Sequence, residues 1–236
     1  MIGTLIEMCT GPADLVLDFF AGSGATGHAV WAANRRDEGV RRLILVQFPE
    51  PLDNDSGLRT IADLTAERLR RAAKKVREER PDYEGDLGFR VFKLDSSNIR
   101  AWEPDRADLE GTLVDAVEHL KADRSEADLL HELLLKLGLD LSVPIEKKEV
   151  RSQESEGKAH TLRSVGGGVL MVCLSDKIAR EHVEPLAQGI VEWHREMAPA
   201  GETTCIFRDS AFADDVAKLN LAAILNEHGL ANVRSL

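Results

Sequence analysis

The chain has 236 residues, 43% hydrophobic and 30% charged, with a formal net charge of −11. That apolar content supports one good core or two modest ones, and the acidic balance argues against the chain alone being a main DNA-gripping surface. No apolar run reaches the about 18 residues of a membrane span, and no basic segment followed by a hydrophobic one opens the chain. Neither a membrane span nor a secretion signal is therefore expected, and the cytoplasm is the expected location. Cys9, Cys173 and Cys205 are far apart with apolar neighbours, which suits buried reduced thiols better than a disulfide frame or a metal site.

Residues 15–20 form a short apolar run that reads as a strand buried on both faces of a parallel sheet. Gly22 and Gly24 then permit a tight turn, and residues 25–36 read as a helix whose first N–H groups point over it. Gly22, Gly24 and Gly27 spell G-x-G-x-x-G, with the acid Glu50 about twenty residues further on, so the spacing alone leaves a dinucleotide site open. His28 lies within the first turns of the helix, as a neighbour of any bound cofactor.

Residues 43–47 predict a second strand. After a turn at 54–57, a helix is expected to carry Ile61, Leu64, Leu69, Ala72, Ala73 and Val76 inward. Its outer face crowds seven cations from Arg68 to Arg80, which read either as a solvated face balanced by Glu67, Glu78 and Glu79 or as a phosphate contact. Residues 89–94 predict a third strand, giving the spatial order third, second, first. Asp95-Ser96-Ser97-Asn98 would then lie at the carboxyl edge, either against the adenine end of a cofactor or as a side-chain-satisfied turn.

Composition turns polar between Trp102 and Leu109, which divides the chain into domains over 1–103 and 104–236. A helix over 107–121 follows. Ser125 with Asp128 three residues later opens another, closed by Gly138, and its leucines suit either a core or an interface. Strands are predicted over 149–153, 161–165 and 169–174 with turns at 154–158 and 166–168, then a helical stretch over 177–197, a strand over 203–208 and a helix over 214–228. Gly166-Gly167-Gly168 lacks the strand-to-helix setting of a phosphate loop. Ser210, Asp209 and His194 make a hydrolytic triad only on paper: Asp209 and Ser210 read as helix caps and His194 as a packing histidine.

The residues around the glycines distinguish the cofactor classes. Asp18 at the strand end followed by Phe20-Ala21-Gly22-Ser23-Gly24 resembles the F-x-G-x-G motif of amino-methyltransferases that modify DNA with S-adenosylmethionine. Residues 43–51, 129–139, 207–212 and 232–236 are similar to blocks of the modification subunits of type III restriction-modification systems, so the resemblance runs nearly end to end. It implies an α/β fold, a partial Rossmann-like methyltransferase sheet of parallel strands with a C-terminal mixed α/β region. It also implies a cofactor site made of Asp18, Phe19, Phe20, Ala21, Gly22, Ser23, Gly24, Thr26 and Glu50, with Asp18 orienting the methionine amine and Glu50 holding the ribose hydroxyls. Where many adenine methyltransferases carry that acid at the strand end, this chain has Gln47.

The family's Asp-Pro-Pro-Tyr motif is missing: none of the eight prolines lies in one, and Pro81-Asp82-Tyr83 and Glu103-Pro104-Asp105 read as loop breakers. The expectation is a C-terminal portion of a longer adenine-N6 DNA methyltransferase, with S-adenosylmethionine as methyl donor and no catalytic residues of its own. Residues 4–8 then read as the tail of the helix that precedes the glycine strand. Expected partners are DNA through the parent enzyme, the restriction subunit and a second copy in a homodimer. An apolar sheet edge left unpaired would cause poor solubility or dimerisation, or be covered by the chain's own tail. The alternatives are an assembly module with a relic glycine loop and a nicotinamide dinucleotide-binding oxidoreductase domain.

Overall fold

A computed structural model describes residues 1–53, 57–100, 107–108, 120–151 and 159–236. The chain forms two compact units, Met1–Lys93 and Leu94–Leu236.

The first unit runs α1 (Ile2–Cys9), β1 (Leu15–Asp18), α2 (Ala25–Asp37), β2 (Arg42–Leu45) and α3 (Ile61–Glu79). β1 and β2 pair in parallel, with Leu15 opposite Arg42 and Asp18 opposite Leu45. The alternation of side chains along a strand divides them cleanly. Val16 and Leu43 pack against Ile6, Val30 and Ala33, and Leu45 joins Trp31, Leu69 and Val76. On the other face Leu17 is 57% and Ile44 47% exposed, so the expectation of a strand buried on both faces is corrected: the helices of this unit cover one face only. α3 starts at a reciprocal cap between Thr60 and Asp63, and its buried stripe is Thr65, Leu69, Ala72, Ala73 and Val76.

Behind α2, the buried Arg41 guanidinium holds the entry to β2. It donates to both carboxylate oxygens of Asp37 (3.0 and 2.8 Å) and to Thr10 Oγ1 (2.8 Å), while Asn34 brackets the Arg41 backbone from both sides. The Arg41 guanidinium beside Asp37 keeps that carboxyl below the usual range.

The sheet of this unit holds two strands, and residues 89–94, expected as a third, are not among them. Phe89 instead anchors this stretch by its side chain, with its ring centroid 6.3 Å from that of Trp31, while Val91 and Leu94 are exposed. Asp95-Ser96-Ser97-Asn98 belongs to the second unit, where side chains satisfy its polar groups, as one of the two readings had it. Ser97 Oγ and the Asn98 N–H donate to Glu132, and Lys121 donates to Ser96.

The second unit contains α4 (Glu126–Lys136), β3 (Ile145–Val150), β4 (His160–Val165), β5 (Leu170–Cys173), α5 (Arg180–Met197), β6 (Thr204–Phe207), a 3₁₀ turn (Asp209–Ala211), α6 (Asp215–Glu227) and β7 (Asn232–Ser235). Its five strands lie in the order β3-β4-β5-β6-β7, antiparallel from β3 to β5 and parallel from β5 to β7. Met171, Cys173, Cys205 and Phe207 face Leu186, Ile190 and Leu221 of α5 and α6. Leu170, Val172 and Ile206 face Leu130 and Leu134 of α4. This is a three-layer unit with both sheet faces covered.

Several expectations shift here. The first strand of this sheet runs over Ile145–Val150, earlier than the 149–153 expected, with Ile145 packed inward; the last strand, β7, is an addition. α6 is capped by Asp214, whose carboxylate accepts from the Ala217 N–H at 2.8 Å, not by Asp209 and Ser210. Those two sit in the 3₁₀ turn, Asp209 paired with Lys218 and Ser210 accepting from Arg208. The leucines of α4 are core, as one of the two readings had it, except Leu135, which is exposed. Cys173 and Cys205 are buried, but Cys9, the last residue of α1, is exposed. The predicted turns at 54–57 and 154–158, the polar boundary at 102–109 and the helix over 107–121 fall almost wholly outside the described residues. Among the described residues, no helix is long and apolar enough to cross a membrane, and no cluster of His, Cys, Asp and Glu is built to hold a metal.

Candidate functional site

The turn between β1 and α2 is made by two glycines in the left-handed region, Gly22 at φ 52° and Gly24 at φ 78°. Most side chains would be strained there. Gly24 is also the N-cap of α2 and has no side chain to satisfy the helix, so the first N–H groups face the space over the turn. Gly27 has a different reason: a Cβ there would come within 2.8 Å of Leu69 Cδ2 and 3.0 Å of Leu45 Cδ1. Its absence lets α2 lie close on β2 and α3, the packing role of the third glycine in such turns.

Asp18 ends β1 with both oxygens engaged. Oδ1 accepts from the Phe20 N–H at 3.1 Å and Oδ2 from Thr26 Oγ1 at 2.5 Å, so the acid ties the start of the turn to the first turn of α2. Phe19 and Phe20 stand 63% and 84% exposed with centroids 5.1 Å apart, while Ala21 is buried beneath them and donates its N–H to Val46 O at 3.1 Å. Glu50 lies past β2 with an exposed side chain; its carbonyl accepts from the Ile61 N–H at 2.9 Å, which moors it to the start of α3.

Three contacts to the turn went unread in the sequence. Gln47 Oε1 accepts from the Gly22 N–H at 2.7 Å, Thr65 Oγ1 donates to Gly22 O at 2.5 Å, and Arg68 Nη1 donates to Ser23 Oγ at 2.8 Å. Only Thr65 left a signal: a hydroxyl in an otherwise apolar helical stripe needs a partner. Arg68 thus leaves the group of cations that the sequence read either as a solvated face or as a phosphate contact. Arg70, Arg71, Lys74 and Lys75 do pair along the helix with Glu67, Glu78 and Glu79. His28, one turn into α2, is pushed toward its neutral form by burial, then by the charges of Arg68, Lys75 and Arg35.

The strand-turn-helix presents backbone N–H groups, two exposed aromatic faces and two carboxylates at the carboxyl ends of parallel strands, where ligands of such sheets collect. Aromatic faces and amide N–H groups suit a ligand with a purine and a carboxylate, and the acids suit hydroxyl or ammonium groups.

Residues 1–56 match the family model N6_N4_Mtase, described as DNA methylase. The chain is 38% identical over 99 residues to the Mod subunit of the type III restriction-modification enzyme StyLTI of Salmonella typhimurium, a match covering 40% of this chain and 15% of that subunit. It is 40% identical over 99 residues to the EcoP15I Mod subunit of Escherichia coli (40% of this chain, 14% of the relative). It is 41% identical over 73 residues to the type II methyltransferase M.KpnI of Klebsiella pneumoniae (29% and 18%). The resemblance to type III modification subunits is borne out over about 40% of the chain, not nearly end to end as expected, and the matches span only 14–18% of the length of these relatives.

Proposed function

We propose that this chain is the cofactor-binding and assembly portion of a site-specific adenine-N6 DNA methyltransferase of a restriction-modification system. The observation that carries this reading is the turn after β1, with Gly22 and Gly24 in the left-handed region beneath exposed Phe20 and ahead of an uncapped α2. The DNA methylase match covers this same stretch.

S-adenosylmethionine, when bound, supplies an electrophilic methyl group. The residues present fit it. Phe20, Ala21, Gly22, Ser23 and Gly24 form a floor in which a Cβ on Gly22 would meet no side chain, while the bare Gly24 makes room for Thr65. Phe19 adds a second aromatic face, and Thr26 keeps Asp18 in place through its hydroxyl. Asp18 retains acceptor capacity for the methionine amine, since each carboxylate oxygen can accept more than one hydrogen bond. Glu50, exposed past β2, is the group for the ribose hydroxyls. The acids and bases of methyl transfer are not in these 236 residues, which contain no Asp-Pro-Pro-Tyr motif. In the parent enzyme the methyl acceptor is an adenine N6 flipped from the duplex. The second unit serves self-association, as a homodimer, and contact with the restriction subunit.

The test is calorimetric titration of the full chain with S-adenosylmethionine, with NADH run in parallel. Saturable binding of the first, lost in Gly22→Val while the second unit stays folded by circular dichroism, is the expected result. Unchanged affinity in Gly22→Val would sink the assignment of the site, and preference for NADH would favour the oxidoreductase alternative.

A further inference from the structure

We propose that Gln47 and Thr65 are positioning residues that set the glycine turn for cofactor binding by gripping Gly22 from its two sides; this rests on the cofactor reading above. The Gly22 N–H is taken by Gln47 Oε1 at 2.7 Å and the Gly22 carbonyl by Thr65 Oγ1 at 2.5 Å. Both peptide polar groups of one residue are thereby fixed by side chains from elsewhere, the segment just past β2 and the second turn of α3.

The orientation of Gln47 is determined by its two partners. Its Nε2 donates to Phe48 O at 2.9 Å, so the oxygen is the end that faces Gly22. An ionised acid at this position would accept from Gly22 but would face the Phe48 carbonyl with a second acceptor, which repels. This accounts for a glutamine where a ribose-binding acid stands in many similar enzymes: the side chain serves the turn, and the hydroxyls fall to Glu50.

Thr65 is 7% exposed, and its Cγ2 lies 3.0 Å from the point a Cβ on Gly24 would occupy. Its methyl packs under Gly24 while its hydroxyl, which also lies 3.0 Å from Ile61 O, gives its single proton to the shorter contact at Gly22. A turn with two left-handed glycines has many alternative conformations when unheld, and freezing them on binding would weaken affinity. Side chains that freeze the turn beforehand remove that cost, which is preorganisation.

The experiment is calorimetric titration of S-adenosylmethionine into the full chain and into Gln47→Leu, Thr65→Val and Thr65→Ser, with exchange of the Gly22 amide followed by NMR in the ligand-free proteins. Gln47→Leu and Thr65→Val should each weaken binding about tenfold, the scale of one lost hydrogen bond, while Thr65→Ser restores it. Gln47→Leu should also speed Gly22 amide exchange, with the other β1 and β2 amides unchanged. Equal affinity across the set with a binding-competent parent chain would overturn the inference and leave the cofactor reading intact. A serine variant as weak as the valine one would overturn the role of the Thr65 hydroxyl. Failure of the unsubstituted chain to bind would overturn the cofactor reading and the inference with it.

Discussion

Cys205 shows how far burial separates residues that look alike in a sequence. Its thiol is wholly enclosed under α5 and α6, and burial alone pushes its pKa up to about 12. Cys173 is shifted upward for the same reason, whereas Cys9 is exposed. Since the thiolate is the reactive form, an Ellman titration at pH 8 is expected to count one fast thiol in the folded chain and three after denaturation. Two or more fast thiols in the folded state would contradict this packing. At this scale the sequence made the glycine turn legible, because only particular residue types tolerate its backbone. It did not make Gln47 or Arg68 legible, because a long polar side chain in a half-exposed position carries no mark of the partner it reaches.

The leucine helix α4 is the clearest case at the level of an element. Ser125 and Asp128 cap it reciprocally, and Leu129, Leu130, Leu133 and Leu134 are buried against the sheet. Leu134 is fully buried, so Leu134→Ala should cost about 2–5 kcal/mol of stability in denaturant unfolding, through lost transfer energy and a residual cavity. The same helix binds the turn at Ser97 and Asn98 through Glu132. Burial raises the Glu132 carboxyl, but the hydrogen bonds from Ser97 and the Asn98 N–H, and then Lys136, outweigh it and leave the group below its ordinary range. A carboxyl depressed by folding stabilises above its unfolded value near 4.5 and loses that contribution as pH falls through the folded value. Thermal unfolding should therefore show the melting temperature dropping below about pH 4.5, with a shallower drop in Glu132→Gln. Most element types were readable from periodicity, but β7, with a single inward Val233, was too short to show it. The run at 89–94 misled because alternation reports the habit of a strand, not the presence of a neighbour to pair with.

For the whole molecule, charge decides a further expectation. At −11, with the cations of α3 largely paired to their own glutamates, the chain lacks the concentration of Lys and Arg that phosphate contacts require. Fluorescence anisotropy with a labelled duplex at about 150 mM salt is expected to show no binding at micromolar protein; tight binding that weakens steeply with salt would overturn this. The division into a small parallel unit and a larger mixed one follows from how much each can bury. The second unit covers both faces of five strands, and the first covers one face of two.

The two sheets also differ in their resistance to misassembly. β3, at one edge of the five-stranded sheet, presents Glu146, Lys147, Lys148 and Glu149, and β7 at the other edge carries Arg234 between Val233, which packs on the core, and Ser235. An incoming strand meets charge at both borders, the arrangement that discourages edge-to-edge growth. β1 and β2 carry their exposed Leu15, Leu17 and Ile44 with one flanking charge, Arg42, on the same face. Aggregation on storage should therefore start in residues 15–45, and a Leu17→Lys chain should outlast the original in a turbidity assay without any change in the larger unit.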